Sequence, residues 1–268
     1  MQGSRFITKR KKQCRRYSFL VLFLCSCSSP EWILKLDQLD SIEKDITFGR
    51  EDRTSLLFFI QKVYEDFSFV NRLNIRTYSR SVTDYLNSLV KVDEHKNSLK
   101  LSFKYSLWKS DEVFYFISPK GEVFFSEGFV EKFLQTEDIL KVVLMECYLR
   151  EKYGVYNFKE GFPTGYKTIS NLSSLLLVSL QDKRLLNNWI YVLLKNNKTD
   201  TNSILYWMQE KIRAEANSYY VTGSRGDSLK EEQYIKEYLL KQGIFNEEED
   251  FGLQSKRFFK FKREFSSW

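Results

Sequence analysis

Val113-Phe114-Tyr115-Phe116-Ile117-Ser118-Pro119-Lys120-Gly121-Glu122-Val123-Phe124-Phe125-Ser126 decides how this chain is read. Two short runs of β-branched and aromatic residues, 113–117 and 122–126, flank Ser118-Pro119-Lys120-Gly121, where Pro and Gly punctuate a turn. Just upstream, Leu99, Leu101, Phe103 and Tyr105 alternate with Lys100, Ser102 and Lys104, the two-residue period of a half-buried strand. The expectation is a small antiparallel sheet over about residues 99–126.

Outward from this sheet the period becomes helical. Downstream, Gly128 to Leu134 begins a short helix, and Thr136-Glu137-Asp138 is an N-cap with acids in the first turn of a helix running to about Lys152. A loop with Gly154, Gly161, Pro163 and Gly165 leads to helices near 168–181, 184–195 and 201–219. Ser228-Leu229-Lys230-Glu231 has the spacing of a capping box opening a helix that ends at Gly243. Upstream, Ile33, Leu34, Leu36 and Leu39, then Leu56, Leu57, Ile60, Val63, Tyr64 and Phe67, recur every three or four residues and predict helix over 31–70. Val82, Tyr85, Leu86, Leu89 and Val90 do the same over 80–94. The fold class expected is α+β, mostly helical, with an N-terminal helical region over 27–96 and a second domain over 97–268.

Charge separates the first residues from the rest. The chain has 42 Lys and Arg against 35 Asp and Glu. Arg5, Lys9, Arg10, Lys11, Lys12, Arg15 and Arg16 lie in the first 26 residues, which contain no acid. Setting those seven bases aside leaves 35 of each sign, so the remainder is formally neutral and gives no reason to expect nucleic acid as a partner. An apolar run follows, Tyr17 to Cys27, and Ser28-Ser29-Pro30-Glu31 stops it well short of the about 20 residues needed to span a bilayer. Leu24-Cys25-Ser26-Cys27 resembles the lipobox of bacterial lipoproteins, which implies cleavage before Cys27 and acylation of its thiol. Residues 1–26 are therefore expected to be a signal peptide and Cys27 a lipidation site. The partner this implies is the membrane, reached through the lipid. The place is the bacterial cell envelope, at the outer membrane or cell surface rather than the inner membrane. With Cys14 and Cys25 removed and Cys27 acylated, Cys147 is left alone and no internal disulfide is possible.

The segment 113–149 resembles the zinc metallopeptidases that include HtpX, BepA and the CAAX prenyl proteases. In that family a strand, a Pro-x-Gly turn, a second strand and a Thr/Ser-x-Gly-Leu helix start precede an acid pair and then the helix Val-Leu-x-His-Glu-x-x-His. Here the acid pair is Glu137-Asp138 and the helix reads Val143-Leu144-Met145-Glu146-Cys147-Tyr148-Leu149. Met145 and Leu149 stand where the two histidines would bind zinc from one helical face, and Glu146 stands where the general base would be. Counting back from Gln242-Gly243 puts Ser228 at the third-ligand position of the family's Glu-x-x-Ala-Asp pattern and Glu232 at its Asp, with Glu231 adjacent. The only histidine in the chain is His95. A two-histidine zinc site is thus unavailable, and Met145, Glu146 and Leu149 are read as vestigial positions, with no cofactor and no metal.

The resemblance implies a catalytically inactive metallopeptidase relative that acts by binding, as scaffold, chaperone or regulator of envelope proteins, with a protein or peptide partner. Two other readings stand beside it. A lipoprotein of unrelated fold with a structural or surface-contact role predicts that the Glu146 helix lies away from the 113–126 hairpin. An active peptidase with unconventional ligands needs Glu146 beside a metal-bound water. Without the family, 142–149 is the apolar stripe of a core helix and Glu146 a solvated or capped acid. Arg225-Gly226-Asp227 is an integrin-type tripeptide, although Gly and Asp before a helix are also what turn and cap chemistry place there. Lys256-Arg257-Phe258-Phe259-Lys260-Phe261-Lys262-Arg263 interleaves bases with Phe, a pattern that suits docking on a lipid surface or a partner as well as a last strand, and a last strand or docked tail is the first expectation.

Overall fold

The computed structural model describes residues 50–90, 102–157, 169–216, 227–242 and 254–264. All of them belong to one compact unit, Glu43–Trp268. Helix α1 (Arg50–Val70) is followed by a 3-10 turn (Arg72–Asn74), strand β1 (Ile75–Thr77) and helix α2 (Arg80–Leu89). Strands β2 (Lys104–Trp108), β3 (Tyr115–Ile117) and β4 (Glu122–Ser126) come next. The remaining elements are helices: α3 (Glu127–Lys132), α4 (Glu137–Tyr153), α5 (Ile169–Ser174), α6 (Leu180–Asn196), α7 (Ser203–Ala216), α8 (Ser228–Lys241) and α9 (Lys256–Arg263). The class is α+β and mostly helical. Among the described residues no helix is long and apolar enough to cross a membrane. The signal peptide, Cys27, His95, Arg225 and Gly226 lie outside the described residues.

The β3–β4 hairpin forms across Ser118–Gly121. Gly121 has φ of 73° and donates its N–H to Ser118 O at 3.0 Å, which is the backbone geometry that glycine takes at least cost. The sheet itself corrects the antiparallel expectation. Its order is β1-β2-β4-β3, and β2 runs parallel to β4 with Lys104 opposite Glu122 and Trp108 opposite Ser126. The connection after β2 reverses the chain and carries it past the place of β4 to the far edge, so β4 returns between the two. Glycine and serine hold that crossing in place. A Cβ at Gly128 would collide with the carbonyl oxygens of Asp111 and Glu112, and the Gly128 N–H donates to Ser110 O at 2.9 Å. The Ser126 hydroxyl accepts from Phe114 N (2.9 Å), donates to Phe114 O (3.0 Å) and caps α3 by accepting from Phe129 N (3.2 Å). The extension of the sheet by the three-residue strand β1 is not expected from sequence, because Ile75-Arg76-Thr77 is too short to show a period.

Both faces of the sheet are covered, which explains why 113–117 and 123–125 are unbroken apolar runs. On one face Trp108, Phe114, Phe116 and Phe124 pack with Ile60, Val63, Tyr64 and Phe67 of α1 and with Leu172 near the end of α5. Phe67 meets Trp108 and Phe124 edge to face at 5.7 and 5.6 Å. On the other face Tyr115 stacks on Phe129 at 4.9 Å, and Phe125 meets Phe129 and Phe261. Helix α4 packs on β3 and is flanked by α6 and α7. It starts as expected, with Thr136 Oγ1 accepting from Ile139 N, and ends on Gly154 in the left-handed region, where Val155 N reaches back to Arg150 O at 2.9 Å.

Two expectations at the C-terminal end are corrected. Residues 256–263 are a helix and not a strand. Ser255 caps it by accepting from Phe258 N, and the buried pair Phe258 and Phe261, three residues apart, falls on one helical face but on opposite faces of a strand. The tail is docked, with Phe261 stacked on Tyr78 at 5.4 Å. The capping box at Ser228 does not form. Asp227 is the N-cap of α8, Ser228 lies buried in its first turn, and the Glu231 side chain turns inward.

Candidate functional site: an ionic cluster inside four helices

Helix α4 is buried nearly all round, from Ile139 to Arg150, as a helix through a core must be. Met145 and Leu149 are core residues, fully enclosed. Glu146 is enclosed too, at 2 % exposure, so it is not the solvated acid that a plain core helix would carry. A buried carboxylate costs several kcal/mol unless it is paired and hydrogen-bonded, and the surrounding helices supply the partners.

Each of four helices contributes two polar residues one turn apart. From α4 come Glu146 and Arg150: Arg150 Nε donates to Glu146 Oε1 at 2.9 Å, and Arg150 Nη1 donates to Val155 O at 3.1 Å, tying the pair to the end of its own helix. From α7 come Trp207 and Lys211. The indole N–H donates to Glu146 Oε2 at 3.3 Å, and the Lys211 ammonium stands 3.5 Å from the same oxygen while lying 5.4 Å over the Trp207 ring. From α8 come Asp227 and Glu231, and from α6 come Lys183 and Asn187. Glu231 Oε1 is 3.0 Å from Lys183 Nζ, its Oε2 accepts from Asn187 Nδ2 at 3.4 Å, and the same Oε2 is 3.8 Å from Lys211. Lys183 also stands 3.6 Å from Asp227.

Three carboxylates therefore meet three cations, and Lys211 bridges Glu146 and Glu231. The net charge of the cluster is zero. Burial by itself pushes the Glu146 carboxyl up, but Lys211, Arg150 and the hydrogen bonds from Arg150 and Trp207 outweigh it and hold the group at about 2. Arg150 shows the reciprocal effect: burial lowers it, and the Glu146 carboxylate more than restores it, so the guanidinium is held above its ordinary value. The Cys147 thiol, buried beside Glu146, is pushed well up by desolvation first and by that carboxylate second, which keeps it a thiol and a poor nucleophile. The space between Glu146, Arg150, Lys183, Asn187, Lys211 and Glu231 is about 10 Å³, room for about one water.

No family model matches this chain, and no curated protein matches it.

Of the positions expected from sequence, Glu146 is in the cluster, whereas Met145 and Leu149 contribute only packing. On α8 the inward acids are Asp227 and Glu231. Ser228 is buried beside them, and Glu232 turns away to pair with Lys236 at 2.7 Å. Asp227 is engaged with Lys183 and Lys230, so the Asp of Arg225-Gly226-Asp227 is part of the cluster rim. Arg150, Lys183, Asn187, Trp207 and Lys211 escaped sequence reading. Their signal was present as polar residues falling on apolar stripes: Lys183 and Asn187 in register with Ile190 and Leu194, and Lys211 in register with Ile204, Trp207 and Met208.

A hydrolytic zinc, which active members of the resembled family use, does not fit these residues. Met145 and Leu149 offer a thioether and a hydrocarbon, and Glu146 is neutralised by a guanidinium and an ammonium and hydrogen-bonded by an indole. A carboxylate held at about 2 that accepts from the Arg150 guanidinium and the Trp207 indole and faces the Lys211 ammonium is a poor proton acceptor at neutral pH. Among the described residues no group of three or more His, Cys, Asp and Glu is placed to hold a metal ion.

Proposed function

We propose that this chain is a catalytically inactive relative of the HtpX, BepA and CAAX prenyl protease metallopeptidases, held to the bacterial envelope membrane by a lipid on Cys27 and working by binding, as scaffold, chaperone or regulator of envelope proteins. One observation carries the reading. Glu146 on α4 and Glu231 near the start of α8 face each other across the Lys211 ammonium, 3.5 and 3.8 Å from it. This is the meeting of helices that the family's zinc site requires, with a cation of the chain itself between the acids. Asp227 and Glu231 are four residues apart, as are the two acids of the family's later helix motif, in a register one residue before that counted from Gly243. The packing of α4 on β3 favours this reading over an unrelated fold, which predicts that the Glu146 helix lies away from the hairpin.

The filled site also bears on how such a protein would work. With about 10 Å³ between the charged groups, no peptide enters there, so the partner is taken up by a surface outside the cluster. Metal analysis of purified protein with a peptidase assay tests the first half. The expected result is no stoichiometric zinc and no cleavage. Stoichiometric zinc together with peptidase activity abolished by Glu146→Gln overturns the proposal. Labelling with a radioactive fatty acid tests the anchor, and label retained by Cys27→Ala removes Cys27 from its role.

A further inference from the structure

Helix α9 presents two unlike faces. Phe258 and Phe261 are buried against the sheet layer and α2, and Lys262 lies along the flank, donating to Leu134 O at 3.0 Å. The opposite face carries Lys256, Phe259, Lys260 and Arg263, at spacings of three and four, all exposed, with Arg257 exposed beside them. Phe259 keeps 46 % of its surface in water in the middle of these cations. Among the described residues, Glu264 and Glu137 are committed within the fold, and Asp84, itself exposed, is paired with Arg80. Glu264 accepts from Ser79 N–H (2.6 Å) and Ser79 Oγ (3.0 Å), Glu137 accepts from Ser255 N–H, and Asp84 lies 3.9 Å from Arg80.

We infer that this face of α9 is a docking surface for an anionic lipid bilayer, with Lys256, Lys260 and Arg263 against the headgroups and Phe259 inserted between them. The chemistry fits a surface better than a single small anion. The hollow beside α9, about 790 Å³ and bounded by Ser79 and Ser81, is open, and Glu264 already accepts from the Ser79 N–H and hydroxyl at the start of α2, which a phosphate would seek. A bare aromatic ring among cations matches the interfacial region, where the ring leaves water and the cations meet negative lipid. The burial of Phe258 and Phe261 holds the helix so that the face is presented without an ordering cost at the moment of binding. The inference is independent of the lipid at Cys27. It goes beyond the anchor by stating which side of the folded part would lie on the membrane.

Vesicle partitioning of the full chain tests it, comparing phosphatidylcholine alone with phosphatidylcholine containing about 30 % phosphatidylglycerol, an anionic lipid. Whatever residues 1–26 contribute is common to every variant. Each cation near an anionic surface is worth about fivefold, so Lys256→Gln/Lys260→Gln/Arg263→Gln is expected to lose roughly a hundredfold on the anionic vesicles and little on the neutral ones. Lys256→Gln alone, the milder variant, is expected to lose about fivefold, and Phe259→Ser a few-fold. The differences should vanish at about 1 M salt, where the screening length falls to about 3 Å. Equal partitioning of parent and triple variant on anionic vesicles overturns the inference. So does parent binding that ignores lipid charge, or retention by nucleic acid with none by vesicles.

Discussion

Helices α4 and α9 are both written with charge among apolar residues, and the fold treats them in opposite ways. In α4 the Glu146–Arg150 pair lies inside the protein at 2 % exposure on each side, joined by Trp207 and Lys211 of α7, and Lys211 links it to Glu231 of α8, which Lys183 of α6 pairs in turn. In α9 the cations stand in water on one face while two Phe residues anchor the other. The lesson is that the free energy of a charge is decided by what surrounds it. Inside, every charge is a liability that demands a partner; outside, it is nearly free and is available for a second molecule.

The comparison predicts a steep gradient of mutational cost. Glu146→Gln strands Arg150 and Lys211 without their shared carboxylate and is expected to lose about 3–5 kcal/mol in denaturant unfolding. Combining it with Lys211→Met should cost clearly less than the two singles together, because they remove opposite members of one pair. Additive costs would mean that the cluster does not act as a unit. Phe261→Ala removes the anchor of α9 and is expected to cost about 3 kcal/mol, with a cavity left under the helix. A smaller loss would show α9 to be held loosely and would blunt the contrast.

A third prediction uses pH. The Glu146 carboxyl is ordinarily near 4.5 and is held at about 2 in the fold. A group depressed by folding contributes stability that is fully present above 4.5 and drains away as pH falls towards 2, since the unfolded chain takes up the proton first. The parent should therefore lose stability more steeply than Glu146→Gln between these values, read as the difference between their unfolding curves. Parallel curves would contradict the burial of the charge. The smallest effect belongs to the exposed face: Lys256→Gln should change stability by less than about 0.5 kcal/mol.

Local signals in the sequence were legible where one or two residues suffice to set geometry. The Ser118–Gly121 turn, the Thr136 cap and the helical stripe of α1 depend on neighbours within a few positions, and all three appear in the structure. The C-terminal helix was misread because Phe259, Phe261 and the intervening lysines satisfy a period of two as well as a helical one, and a run of eight residues is too short to separate them.

What the sequence determined by itself was the mostly helical class with a small sheet, the Ser118–Gly121 turn, the Thr136 cap and the shortage of histidine that removes a two-imidazole zinc site. Tertiary structure alone decided that β2 pairs in parallel with β4, that Lys183 and Lys211 enter the core to meet Glu146 and Glu231, and which side of α9 faces water. Pairings of that kind join residues tens of positions apart. Their energy comes from exclusion of water when four helices close together, and no window along the chain carries that information.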